Sequence, residues 1–156
     1  NAVKLSTKSS YALRALFDMA YHSPGERSKI ETISEREGIP PRFLEQIFLN
    51  LKKAGLVGSR SGRGGGYYLK KPPETITLAA IIRAVEGETC ESLCRDSPAP
   101  AEDGSPTGHC VVTGVWSELA GRSDVMLEAI TLADTVARAE AMGVKRAGFQ
   151  KFTYMI

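Results

Sequence analysis

The sequence predicts a mainly α-helical fold with a small β-wing: a winged helix-turn-helix followed by a long C-terminal dimerisation helix. Three observations predict it. Two helical segments meet across a tight turn containing Gly38, and the second has one apolar and one polar face. Two short strand-like runs, Leu56-Val57 and Tyr67-Tyr68-Leu69, flank a glycine-rich turn. A last stretch, from about Val111 to Met142, repeats apolar residues at helical spacing.

Each element follows from its own residues. Ser6 or Thr7 caps a first helix through SSYALRALFDMAYH, in which Tyr11, Leu13, Leu16, Phe17 and Ala20 recur at helical spacing before Pro24-Gly25 ends it. Ser28 with Glu31 three residues on reads as a capping box for a second helix, IETISEREG. Pro41 suits the first turn of a third, where its missing N–H costs nothing. In that helix Phe43, Leu44, Ile47, Phe48 and Leu51 form the apolar face, opposite Arg42, Glu45, Gln46, Lys52 and Lys53. Leu49 stands among the polar residues and is expected to pack against the wing, with contact to a thymine methyl as the alternative. The GRGGG run lacks a following Gly-Lys-Ser/Thr and leads into a strand, so it is read as a wing turn and not a nucleotide loop.

Pro72-Pro73 marks a boundary, and Thr77 caps a fourth helix, TITLAAIIRAVEGE. The expected organisation is residues 3–73 as the winged unit, 74–142 as linker helix, cysteine loop and dimerisation helix, and 143–156 as a tail without functional signal. The final helix, with a break expected near Gly121, carries Val112, Val115, Trp116, Leu119, Leu127, Ile130, Ala133 and Val136. So long an apolar stripe outside a small winged unit needs a partner surface, and the same helix of a second subunit is the natural one.

Charge is divided unevenly. Residues 1–72 hold 13 Lys/Arg against 6 Asp/Glu, whereas residues 73–156 hold 7 against 12. Lys52, Lys53, Arg60, Arg63, Lys70 and Lys71 lie between Gln46 and Pro73 with no acid among them. A basic module joined to an acidic one is the pattern of phosphate binding at one end, with a solvated charged face as the alternative, and the motifs decide between them. With two histidines and no nucleophile–base or carboxylate-pair motif, the chain is not expected to be an enzyme. No run of eighteen apolar residues and no signal pattern occurs, so a cytoplasmic protein without membrane association is expected, with Asn1-Ala2 read as an expression remnant.

Five segments resemble one family in order and spacing: VKLSTKSSYALRAL, ISEREGIPPRFLEQIFLNLKKAGLV, GRGGGYYL, ITLAAIIRAVEG and VWSEL with ITLAD. Together, over residues 3 to about 140, they resemble the Rrf2 family of bacterial transcription regulators. The resemblance implies a homodimer that binds a pseudo-palindromic operator in duplex DNA. It implies base contacts from Arg42, Phe43, Glu45 and Gln46, with Lys53 on the same helix. The family wing commonly reads Arg-Gly-Pro-Gly-Gly-Gly-Tyr, its arginine entering the minor groove. Here Ser61 holds the arginine's place, flanked by Arg60 and Arg63, to one of which that role would pass.

All three cysteines, Cys90, Cys94 and Cys110, lie within 21 residues at a spacing unlike the paired C-x2-C of structural zinc sites. Three thiolates suit an iron–sulfur cluster and leave a fourth position for another ligand. In cluster-binding family members the first cysteine follows a helix-end valine by five residues and the third precedes a tryptophan by six. Cys90 follows Val85 by five and Cys110 precedes Trp116 by six, whereas Cys94 departs from the family spacing. Family fourth-ligand positions are Thr113 and Ser10 here, and neither ligand carries over; His109, Glu91 and Asp96 are substitutes among which nothing selects. The expected cofactor is an iron–sulfur cluster, 2Fe-2S favoured, sensing redox state, iron or nitric oxide. The alternatives are a Cys90–Cys94 thiol switch, response to a metabolite or partner protein, and inert thiols. His22 is expected at the surface.

Overall fold

The computed structural model describes residues 6–87, 104, 105 and 108–147, apart from the His109 side chain. The first helix, α1 (Thr7–His22), begins at Ser6, whose hydroxyl accepts the Ser9 N–H as expected of an N-cap. It buries Ala12, Ala15, Leu16 and Met19 completely or nearly so. Helix α2 (Ile30–Glu37) ends at Gly38, whose φ of 62° is a left-handed conformation in which a side chain is strained. Helix α3 (Pro41–Lys53) starts on proline and turns Leu44, Ile47, Phe48 and Leu51 inward. Strands β1 (Val57–Arg60) and β2 (Gly66–Leu69) pair antiparallel, Val57 opposite Leu69 and Arg60 opposite Gly66. A 3-10 turn (Pro73–Thr75) leads to α4 (Leu78–Glu86), capped by Thr77. Then come α5 (Gly108–Ala129) and α6 (Leu132–Ala141).

One core holds α1 to α4 together, and it runs across the boundary expected at Pro72-Pro73. Ile76, Ile81, Val85 and Leu132 join the same buried cluster as Leu16, Phe48 and Val57. Burying such a side chain contributes roughly 1.5–3 kcal/mol each. One charged pair lies inside it. Asp18 is fully buried, and both its oxygens accept from the Arg36 guanidinium, at 2.8 and 2.7 Å, which joins α1 to α2.

Three local expectations are corrected. Ser28 does not cap α2: the N-cap is Lys29, and no side chain bonds there. Ser28 instead exchanges two 2.8 Å backbone bonds with Tyr67, adding an outer rung to the wing. Phe43 is not on the buried face of α3 but 46% exposed, its ring edge-on to Tyr11. The break in the long C-terminal helix falls at Ile130-Thr131, not near Gly121, which lies inside α5. There Leu78 N–H donates to Ile130 O and Leu132 N–H donates to Ile76 O, so a backbone bridge interrupts the helix where no glycine or proline does.

That break divides the apolar stripe. Val112, Val115, Trp116 and Leu119 are exposed on α5, together with Val111, Val125 and Met126. Leu127 is half-buried, Ile130 lines a small cleft with Leu13, Leu78 and Ile81, and Val136 packs on the chain's own core. The start of the C-terminal tail is also anchored. Tyr21 donates its hydroxyl to Val144 O at 2.6 Å, and His22 Nδ1 accepts the Ala147 N–H at 2.7 Å. No helix of the described residues is long and apolar enough to cross a membrane.

Candidate nucleic-acid interface

Helix α3 presents a row of exposed side chains away from the core. Arg42, Gln46, Leu49 and Lys53 succeed one another at steps of four, three and four residues, which places them along one face. Glu45 and Lys52 flank the row on the side of the wing, and Phe43 and the half-buried Asn50 on the side of α1. Lys8 of α1 reaches that second flank, where it lines a cleft of about 270 Å3 with Arg42, Phe43, Gln46, Ile47 and Asn50. Lys8 was missed from sequence, where only its place in the basic half of the chain marks it.

The wing stands beside this row and is fixed to it. Lys52 Nζ donates to Ser59 Oγ at 2.7 Å, a bond from α3 directly to β1. At the tip, Gly65 N–H donates to Gly62 O at 2.9 Å, and a Cβ on Gly65 would lie 2.3 Å from the Arg60 carbonyl oxygen. The glycine run is therefore a steric requirement of the turn. Arg27 braces the tip from outside, donating to Gly64 O at 3.0 Å. No sequence motif pointed to that role. Arg60, Ser61 and Arg63 are all exposed, with their side chains left to solvent by this scaffold.

The cysteine cluster is only partly in view. Cys90 and Cys94 fall outside the described residues, and Cys110 is exposed on the first turn of α5. At the other end of α5, Glu128 accepts from Arg83 of α4 at 2.7 Å. Eighteen residues of helix separate Cys110 from Glu128, about 27 Å at 1.5 Å per residue.

A family model described as an iron-dependent transcriptional regulator, Rrf2, matches residues 5–138. This chain belongs to the Rrf2 family. It is 36% identical over 143 residues to the HTH-type transcriptional regulator IscR of Yersinia pseudotuberculosis, covering 91% of this chain and 84% of the relative. The same values relate it to IscR of Erwinia tasmaniensis. Among solved structures, T. potens IscR superposes with a TM-score of 0.71 at 32% identity, covering 93% of this chain and 94% of that one. CymR, the global cysteine regulator of B. subtilis, gives 0.67 at 29% identity over 88% and 98%. The chain is thus a transcriptional regulator of the IscR and CymR type, and its Rrf2 relatives are regulators, not enzymes.

Proposed function

We propose that this Rrf2-family chain binds a pseudo-palindromic site in duplex DNA as a homodimer, laying α3 in the major groove and the wing along the adjacent backbone or minor groove. The observation that carries this reading is the row Arg42, Gln46, Leu49, Lys53 standing beside a wing that Lys52 and Ser59 hold in place. Arginine and glutamine reach base edges, whereas Lys53, Arg60 and Arg63 neutralise phosphates. Ser61, too short to enter a groove as an arginine does, leaves Arg60 and Arg63 as the wing's cations. The test is binding to duplex across a salt series: affinity should fall steeply with salt as counterions are released. Salt-independent association would reject the reading.

Dimerisation uses the open face of α5 in this reading. Val112, Trp116, Leu119 and Met126 follow steps of four, three and seven, the spacing of a coiled-coil seam, and all four are exposed. A second copy of the same helix buries this seam symmetrically.

Cys90, Cys94 and Cys110 are proposed to hold an iron–sulfur cluster of the 2Fe-2S type. The exposed Cys110 thiol at the start of a helix fits a soft-ligand site open to further donors. When bound, such a group supplies a redox- and iron-dependent bond between the chain after α4 and the start of α5. Anaerobic purification should give coloured protein with iron and sulfide, and Cys110→Ala should lose both. Colourless, iron-free wild-type protein after anaerobic reconstitution would reject the cluster. A second reading keeps the DNA binding and replaces the cluster with thiol chemistry. It is favoured by the likeness to CymR, solved for Staphylococcus aureus in a form described as oxidized, at 29% identity and a TM-score of 0.62.

A further inference from the structure

We propose that Leu49 is a specificity-determining residue that reads a thymine C5-methyl group in the major groove. This rests on the DNA-reading role proposed for α3. Leu49 lies mid-helix, 45% exposed and outside the buried cluster, where a polar side chain would cost nothing. It does not sit at the margin of the polar face. One turn separates it from Gln46 and one from Lys53, so it occupies the row between two groups suited to base edge and phosphate.

Its chemistry narrows what it can meet there. Leucine neither donates nor accepts a hydrogen bond, and set against guanine, cytosine or adenine it would cover their polar edges without replacing the lost water. Thymine alone among the four bases shows an apolar group in the major groove. Phe43, the other exposed apolar residue of α3, is off this row and held edge-on to Tyr11 with ring centres 5.8 Å apart. Gln46 lies about 4.5 Å from Leu49 along the helix axis, roughly one base-pair step. The thymine therefore falls within one or two steps of the pair that Gln46 contacts.

The test begins with duplexes selected by the wild-type protein from a randomised pool. Each thymine is then replaced in turn by deoxyuridine, which removes only the methyl group. Wild-type protein should lose about fourfold in affinity per half-site at one thymine position, the value of one buried methyl-sized group. Leu49→Ala should bind thymine and uracil equally at that position while keeping the preference that depends on Arg42. Alanine favours an exposed helix position, and an unchanged thermal melt would confirm that the variant folds. The proposal is overturned if wild-type protein never distinguishes thymine from uracil, or if Leu49→Ala distinguishes them as well as wild type. Either result with sequence selection intact leaves the DNA-reading role of α3 standing. Failure of wild-type protein to bind any duplex removes both.

Discussion

Thr77 and Thr131 each cap a helix, and they are paired with one another as an antiparallel bridge. The two flanking backbone bonds, Leu78 N–H to Ile130 O and Leu132 N–H to Ile76 O, are both 2.8 Å. The end of α5 is thus held at the point where α4 begins. The Arg83–Glu128 ion pair, at 2.7 Å, also joins the end of α5 to α4.

Thr131→Ala should destabilise the protein by about 1 kcal/mol, the ordinary cost of losing an N-cap hydroxyl. Its partner Asp134 accepts the Thr131 N–H at 2.8 Å. That bond, then the Thr131 hydroxyl and more weakly Arg138, hold the Asp134 carboxyl below the usual carboxylate range against a smaller opposing effect of burial. Because the folded-state pKa is lowered, the capping box is fully formed above about pH 4 and weakens as pH falls through the lowered value. The protection of amides at the start of α6, measured relative to unfolded-chain exchange at each pH, should therefore fall in acid. An unchanged acid response in Asp134→Asn would assign the effect to another group.

Arg42→Ala or Gln46→Ala should cost about 1–3 kcal/mol on a selected site and relax its sequence preference. Lys53→Ala should weaken all duplexes alike and flatten the salt dependence. Competition binding with selected and scrambled duplexes separates the two behaviours. Loss of preference in Lys53→Ala alone would reverse the roles assigned along α3.

Val112→Glu and Trp116→Ala should convert dimers to monomers in sedimentation while leaving the winged core folded. Ile130→Asp should behave differently, because Ile130 lines a cleft with Leu13, Leu78 and Ile81 of its own chain. An aspartate there meets an apolar lining, and the expected result is a lower unfolding midpoint. Dimers that survive both α5 substitutions would place the interface elsewhere.

Arg36→Ala should be among the most destabilising single changes, at about 3–5 kcal/mol, because it leaves Asp18 buried without its cation. Replacing Asp18 and Arg36 together by apolar residues should recover much of that loss. A urea midpoint for the double variant no higher than that of Arg36→Ala would show that packing, not charge, dominates.

The fold was legible wherever a local rule decided the outcome. Ser6 and Thr77 cap as read, Pro41 opens α3, and the glycines around position 64 make a turn that admits no side chain at Gly65. Two of the misreadings share one cause, contact between distant segments. Ser28 has the spacing of a capping box, yet pairing with Tyr67, 39 residues away, takes its backbone for the wing. The break at Ile130-Thr131 depends on Ile76 and Leu78, and the one local sign of it, Thr131 followed by Asp134 three residues on, was not used. Along α3 the polar and apolar faces were legible except at Phe43, since periodicity cannot say which way a marginal apolar residue turns. Arg27 was invisible as a brace because its partner is a backbone carbonyl, which leaves no trace in the sequence.

The wing tip contributes only backbone atoms to the bonds that hold it: Gly65 N–H donates to Gly62 O, Tyr67 pairs with the Ser28 backbone, and the Gly64 carbonyl accepts from the Arg27 guanidinium. None of these bonds involves the side chains of Arg60, Ser61 or Arg63. Architecture and readout are thereby uncoupled in inheritance. A lineage can exchange the residue at position 61, as an arginine-to-serine change would, without disturbing the loop that displays it. On the DNA-binding role proposed above, operator preference can then drift by single substitutions, each tested by selection on regulation and not on folding.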